Sequence, residues 1–263
     1  MLRDIIDSIG SRYDEYRTIL AYQKRRISPS FVMRDLFNAD RKNYNKKLYW
    51  KILQERQSAK FNEGYLKARL ESLNFISENF RGILDLPREE LMEYSARNAT
   101  LNGIWAEFGV YRGYSLNIIA SLTDKIVHGF DSFDGLPEDW TSGMKKGAFR
   151  ISATDMLKLK NNISLHKGLF SDTLPGFKEE NKGEAMAFVH VDCDLYSSTK
   201  TVFTNLMPMI KPGTVILFDE YYDYEGWKDH EYKAFMEFIS ETNLSFRYLG
   251  YNSNGEQVAV QIV

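Results

Sequence analysis

The sequence predicts an α/β fold: a doubly wound, seven-stranded, mostly parallel sheet whose last strand runs antiparallel, preceded by a helical region. Three observations carry this. From Gly103 onward, short apolar runs alternate with amphipathic segments of helix length. The runs are continuous, as they are in strands buried on both faces, and helices between them imply crossover units of Rossmann-like type. The last two runs are separated only by a turn sequence, so they pair as a hairpin.

From Met1 to about Asn102 the signal is helical. Leu66, Leu70, Leu73 and Ile76 recur at three- and four-residue steps, and no alternating run appears. Pro87 suits a first helical turn, Arg88, Glu89 and Glu90 follow it, and Asn102-Gly103 supplies a stop, which predicts a helix at about 87–101. The strands then follow as GIWAEFG, KIVHGFD, NISLHKG, AMAFVHVD, GTVILFD, SFRYLGY and QVAVQIV, with Asn252–Gly255 turning the last two. The expected division is a helical region over 1–85, serving oligomerisation or capping an acceptor, and a sheet domain over 86–263.

At 263 residues and 43% hydrophobic, the chain can bury a full core and still carry an appendage. Its single cysteine, Cys193, excludes an internal disulfide framework and a cysteine-based zinc cluster, and fits a reducing, cytoplasmic setting. No apolar stretch approaches the roughly 20 residues of a membrane span, and the N-terminus lacks an apolar leader. Net charge is −2, but residues 1–70 hold 16 Lys/Arg against 8 Asp/Glu, a local +8 that leaves −10 for the remainder. A basic stripe with interleaved tyrosines, as in RKNYNKKLYWK, can meet nucleic acid, anionic lipid or a phosphorylated substrate. The simpler reading is a solvated or subunit-pairing face, so the expectation is a homodimer without a nucleic-acid partner.

In an open α/β sheet the ligand sits beyond the carboxyl ends of the strands. Those ends carry Glu107 to Ser115, Asp131 to Gly135, Gly168 to Asp172, Asp192 with Asp194, and Asp219 with Glu220. Gly109 and Gly113 let the backbone around Tyr111 pass close to a ligand and enter a helix whose N-terminus attracts anions. Asp131, about 20 residues on, stands where such sheets bind ribose hydroxyls, beside Ser132. No earlier glycine is present to receive a pyrophosphate, so the ligand expected is a nucleoside without one: S-adenosylmethionine. Ser115 and the helix N-terminus then take its carboxylate, Glu107 its ammonium, and Phe133 and Phe170 sandwich the adenine with Ser171 at its edge.

Residues two apart in a strand point to the same side, so Asp192 and Asp194 both face the crevice. Asp219 and Glu220 end the neighbouring strand, and so many carboxylates in a small volume need protons or a cation. An oxygen-only donor set suits Mg²⁺ before Mn²⁺ or Ca²⁺.

Taken together, AEFGVYRGYS, GFDSFDGLPED, GLFSDTLPG, VHVDCDLYSSTKTVF and MIKPGTVILFDEYY resemble the macrocin-type (TylF) O-methyltransferases, class I S-adenosylmethionine enzymes that act on sugar hydroxyls. More distantly, the first-strand loop is similar to that of catechol O-methyltransferase. The resemblance covers roughly residues 100–263. It implies a Mg²⁺-dependent transfer with the metal at Asp192, Asp219 and Glu220, Asp192 also bordering the cofactor, and Asp194 as general base. His190, on the same strand face as Asp192, is a candidate assistant or a core histidine. The acceptor expected is a small molecule with a sugar hydroxyl, framed by Tyr221, Tyr222, Trp227 and the segment Trp140–Arg150, with Lys145-Lys146 on a lid. Two rivals remain: a short-chain dehydrogenase, because Tyr196 and Lys200 match Tyr-x-x-x-Lys, and a non-catalytic nucleoside-binding protein.

Overall fold

A computed structural model describes residues 63–141 and 143–263. Residues 1–62, which hold most of the basic segment over 1–70 and most of the region over 1–85 expected to serve oligomerisation or cap an acceptor, lie outside the described residues. The chain divides between Glu78 and Asn79, and the second unit, Asn79–Val263, carries the whole sheet. Glu63–Asn79 forms helix α1, as the leucine spacing predicts. No helix among the described residues is long and apolar enough to cross a membrane.

The second unit contains eight strands: β1 (Leu84–Asp85), β2 (Ile104–Phe108), β3 (Val127–Asp131), β4 (Ile163–Lys167), β5 (Met186–Val191), β6 (Val215–Phe218), β7 (Phe246–Tyr251) and β8 (Val258–Ile262). Its helices are α2 (Arg88–Asn98), α3 (Tyr114–Ser121), α4 (Phe170–Glu180), α5 (Tyr196–Leu206) and α6 (Glu231–Thr242). The sheet order is β1-β7-β8-β6-β5-β2-β3-β4. All seven expected strands are present, and β8 alone runs antiparallel to its neighbours β6 and β7.

Two details differ from expectation. β1 is an eighth strand of two residues paired parallel to the edge of β7, too short to leave a periodic signal. Helix α2 ends at Asn98, short of Asn102, with Pro87 just before it and not inside its first turn. The backbone leaves helical geometry at Ala99 (ψ 72°), and the Asn98 carbonyl accepts from the Gln261 side chain at 3.4 Å.

The core follows from the apolar runs. Every residue of β5 is buried, and Trp105 of β2 stacks on Phe188 of β5 with centroids 5.0 Å apart. Phe203, Phe218, Phe235 and Phe238 join α5, β6 and α6 in a second aromatic group. Because the chain winds outward from β2 toward β3 and β4 in one direction and toward β5 and β6 in the other, the ends of β2 and β5 border the point where strand order reverses.

A histidine pair on the outer strands makes a testable contribution to stability. His128 Nδ1 lies 2.9 Å from His166 Nε2, and burial followed by the His166 charge lowers the His128 pKa to about 4. The unfolded chain therefore binds the proton first. Stability conferred by the neutral pair is intact above about pH 6.5 and is lost as pH falls toward 4. Allowing for the solvent that reaches the pair, the loss between pH 7 and pH 5 is about 1 kcal/mol. Urea midpoints at the two pH values, compared between the protein and His128→Gln, check this: the variant has the shallower dependence.

Candidate active site

A cavity of about 430 Å³ opens beyond the carboxyl ends of β2, β3 and β5. Its floor is the turn after β2. Gly109 has φ +96°, and a Cβ there would come within 1.7 Å of the Asp192 carbonyl oxygen, so only glycine lets this turn close on the end of β5. Asp131 fixes the rest of the turn: Oδ2 accepts the N–H groups of Val110 and Tyr111 at 2.8 Å each, and Oδ1 accepts that of Phe133 at 2.7 Å. An ionised carboxylate offers about four lone-pair sites, so Asp131 retains capacity for a ligand hydroxyl.

The cavity brings together many of the expected residues. Gly109, Tyr111 and Ser115 line it from the first turn, Asp131 and Ser132 from the second, and Phe170 and Ser171 from the third. Asp192, Asp194 and Glu220 line it from the ends of β5 and β6. Tyr111 (φ +48°) is exposed and meets Phe149 edge-on at 5.7 Å.

Five expected residues do not reach the wall, and each has a physical reason. Phe133 packs against the core and does not line the cavity, while Phe170 lines it and stands edge-on to Phe108 at 5.7 Å. Gly113, in the left-handed region, caps α3 where a Cβ would meet Leu159 Cδ2 at 2.7 Å. Glu107 is fully buried and receives the Ser115 hydroxyl, so both are partnered within the protein. His190 is fully buried between Glu107 and Asp219, its Nδ1 3.1 Å from Glu107 Oε1. Its Nε2 lies 3.7 Å from Asp219 Oδ1, an ion-pair contact longer than a hydrogen bond. This places His190 behind the cavity wall, against Glu107 and Asp219. Asp219 is the fifth, 6% exposed and engaged by a residue that the motifs do not single out, Arg88.

Arg88 opens α2 and reaches 131 residues along the chain to grip Asp219 with a two-pronged contact, Nε to Oδ1 at 2.8 Å and Nη2 to Oδ2 at 2.9 Å. Nη2 also stands 3.5 Å from Asp192 Oδ2. A second unanticipated residue is Glu231, fully buried, whose two oxygens accept the backbone N–H groups of Cys193 (3.4 Å) and Glu220 (3.3 Å) and thereby tie the two strand ends together.

Six acids thus crowd one region: Glu107, Asp192, Asp194, Asp219, Glu220 and Glu231. Burial, followed by the charge of Asp219 and then Asp131, pushes Asp194 up to about 7. Burial and the neighbouring carboxylates raise Glu220 and Glu231 well above the usual range. Burial opposes charge on His190, but Asp219 and Glu107 outweigh it and raise its pKa to about 10. Burial also opposes charge on Asp219, yet His190 and Arg88 hold it well below the usual carboxylate range.

Asp192, Asp219 and Glu220 each offer an oxygen within 4.8 Å of the others. Glu220 Oε2 is buried and has no hydrogen-bond partner among the described residues. This oxygen donor set fits a hard divalent cation in chemistry.

The aromatic frame differs from expectation. Tyr221, Tyr222 and Trp227 are core residues, the two tyrosines bonded to Tyr248 and to the Asn252 carbonyl. Trp140 and Phe149 do line the cavity. Lys145 and Lys146 are fastened to Asp139, and Glu138 accepts the Ser197 hydroxyl at 2.6 Å, which pins the segment to α5.

Residues 106–221 match the family model described as a methyltransferase domain, a span that begins in β2 and ends just past β6. Among curated proteins, the chain is 26% identical to 8-demethyl-8-(2,3-dimethoxy-alpha-L-rhamnosyl)-tetracenomycin-C 4'-O-methyltransferase of Streptomyces olivaceus, over 53% of this chain and 62% of that protein. It is 28% identical to demethyldecarbamoylnovobiocin O-methyltransferase of Streptomyces niveus, over 53% of this chain and 61% of that one. The chain thus spans about three-fifths of the length of these relatives. Among solved structures, the calicheamicin methyltransferase CalS11 is similar with a TM-score of 0.56 at 18% identity, covering 83% of this chain and 93% of that one. The O-methyltransferase NovP is similar at 0.52 and 21%, covering 66% and 78%. The fold is the Rossmann-like methyltransferase fold.

Proposed function

We propose that this chain is an S-adenosylmethionine-dependent O-methyltransferase of the macrocin type, transferring a methyl group to a sugar hydroxyl of a glycosylated small molecule. The observation that carries the reading is the junction of two features in one cavity. A glycine turn closed on Asp192 and braced by Asp131 forms a nucleoside seat, and Asp192, Asp194 and Glu220 form an acidic wall beside it. The matched domain model spans both features, and both curated relatives are named as O-methyltransferases, one of them of a rhamnosyl compound.

Transfer is an in-line displacement: the acceptor oxygen–carbon bond forms as the carbon–sulfur bond of the sulfonium breaks, and the hydroxyl proton must leave. Alignment is the main task of the protein. Asp194, on the cavity wall with φ +61°, would take that proton. Asp131 holds the turn and, with its remaining lone pairs, orients ribose hydroxyls. Glu231 ties the strand ends that carry Asp192 and Glu220 together, and Trp140 and Phe149 give the cavity apolar lining. Asp192, Asp219 and Glu220 are the residues that would hold a divalent cation. A bound cation of this kind lowers the pKa of an acceptor hydroxyl and orients it.

The dehydrogenase alternative fares poorly because Tyr196 and Lys200 point elsewhere. The Tyr196 hydroxyl donates to Glu237 at 2.8 Å and Lys200 pairs with Glu241 at 2.6 Å, both on α6, while Ser197, Ser198 and Thr201 line the cavity.

Calorimetric titration with S-adenosylhomocysteine and with NAD⁺ tests the reading: micromolar binding of the first and none of the second is expected. NAD⁺ binding without S-adenosylhomocysteine binding overturns it. A panel of aryl rhamnosides incubated with methyl-tritiated S-adenosylmethionine then identifies which hydroxyls accept.

A further inference from the structure

The acidic cluster at the ends of β5 and β6 already contains a cation. The fork of Arg88 engages both oxygens of Asp219 and approaches Asp192, so its Nη2 stands between the two aspartates. A planar guanidinium matches a carboxylate two-prongedly in a way that a lysine ammonium cannot. A divalent ion held by Asp192, Asp219 and Glu220 would draw on carboxylates of the same two aspartates that the guanidinium engages, at the roughly 2.0–2.1 Å distances Mg²⁺ requires. A guanidinium and a divalent ion compete for them: two like charges about 4 Å apart repel, the more strongly where water is scarce. Glu220 Oε2, the third oxygen of the set, meanwhile stays buried without a hydrogen-bond partner among the described residues, which is the mark of a set that Arg88 satisfies only in part.

We infer that Arg88 is the resident counter-cation of this site, and that a divalent ion binds to Asp192, Asp219 and Glu220 only by displacing it. Arg88 is one-third exposed and itself lines the cavity, so the guanidinium has room to swing away from Asp219 without unfolding the start of α2. Its displacement lowers the apparent affinity for the ion, because part of the binding energy is consumed in breaking the Arg88–Asp219 contact. Arg88 thereby sets how much divalent metal the site requires. The inference rests on the proposed function only for the identity of the site, and it concerns cation binding, which is measured separately from methyl transfer.

The experiment is a titration of the full chain with Mn²⁺, following the loss of the free-ion electron paramagnetic resonance signal, for the protein, Arg88→Met and Arg88→Lys. Arg88→Met removes the charge and keeps the aliphatic stem. It is expected to bind Mn²⁺ at least tenfold more tightly than the unmodified protein, with Arg88→Lys, which keeps the charge but loses the fork, between the two. Should Arg88→Met be poorly folded, the Arg88→Lys comparison alone carries the test. Mn²⁺ affinity that is unchanged, weaker or undetectable in the folded variants overturns the inference. S-adenosylhomocysteine calorimetry on the same samples separates the two readings: if the nucleoside binds while the Mn²⁺ prediction fails, the role of Arg88 falls and the proposed activity stands.

Discussion

Gly109→Ala is expected to abolish S-adenosylhomocysteine binding and to lower unfolding free energy by about 3 kcal/mol. Two costs add. At φ +96° any Cβ is strained by about 1–2 kcal/mol, because it crowds the following carbonyl. The new methyl would also lie 1.7 Å from the Asp192 carbonyl oxygen, and since that atom is backbone, no rotamer change relieves the overlap. The ends of β2 and β5 must separate, which breaks the bond from the Asp192 N–H to the Phe108 carbonyl (2.9 Å) and moves Asp192 and Asp194 together. Gly176→Ala is the matched control. It lies inside α4 with nothing within 4 Å of its Cβ position, and alanine there favours the helix by about 0.5–1 kcal/mol. Urea unfolding and calorimetry on both variants check the pair of expectations. An alanine at 109 that leaves nucleoside affinity within threefold would show that the turn is not the seat of the ligand.

The close turn at Gly109 was legible because a glycine just after a strand lets the backbone pass close to a neighbour, and the neighbour here is the end of β5. The seven strands were legible from runs such as AMAFVHV, apolar but for His190, which fit a strand buried on both faces. β1 was not, since two residues carry no period and its pairing depends on β7, some 165 residues away. The acids at the strand ends could be read individually, but their partners could not. Glu107 reads as a ligand-facing acid in the motif, yet its side chain turns inward to His190 and Ser115. Nothing in the spacing of Arg88 or Glu231 links them to Asp219 or Glu220. The only available signal was electrostatic: so many converging carboxylates require protons or positive charge, and the fold supplies part of that charge with an arginine and a histidine. Phe133 and Phe170 differ in placement, only the second lining the cavity. Two aromatics at neighbouring strand ends suggest a sandwich, but the Asp131 Oδ1 bond to the Phe133 N–H holds that residue at φ +59° with its ring on the core side.

Asp194→Asn should slow methyl transfer by about 10²- to 10⁴-fold, the usual contribution of a positioned general base, while leaving nucleoside binding within threefold. The substitution isolates the chemistry because it preserves everything else that Asp194 does. Asparagine has nearly the same volume and tolerates the left-handed region at least as well as aspartate, so the φ of +61° is retained without added strain. Stability should not fall. Asp194 sits 7% exposed beside Asp219 and Asp131, and neutralising it removes a repulsion, so the melting temperature is expected to stay level or to rise slightly. The same change at Asp192 would not separate these effects, because its Oδ2 also faces Arg88 and belongs to the candidate cation set. The measurement is single-turnover transfer of the tritiated methyl group to whichever aryl rhamnoside the panel identifies, run beside calorimetry with S-adenosylhomocysteine. A variant that keeps its fold, its nucleoside affinity and more than a fifth of the unmodified rate would move the proton acceptor away from Asp194. The wall offers Asp192 and Glu220 as the next carboxylates at the ends of β5 and β6, since His190, Glu107 and Asp219 are all outside the cavity.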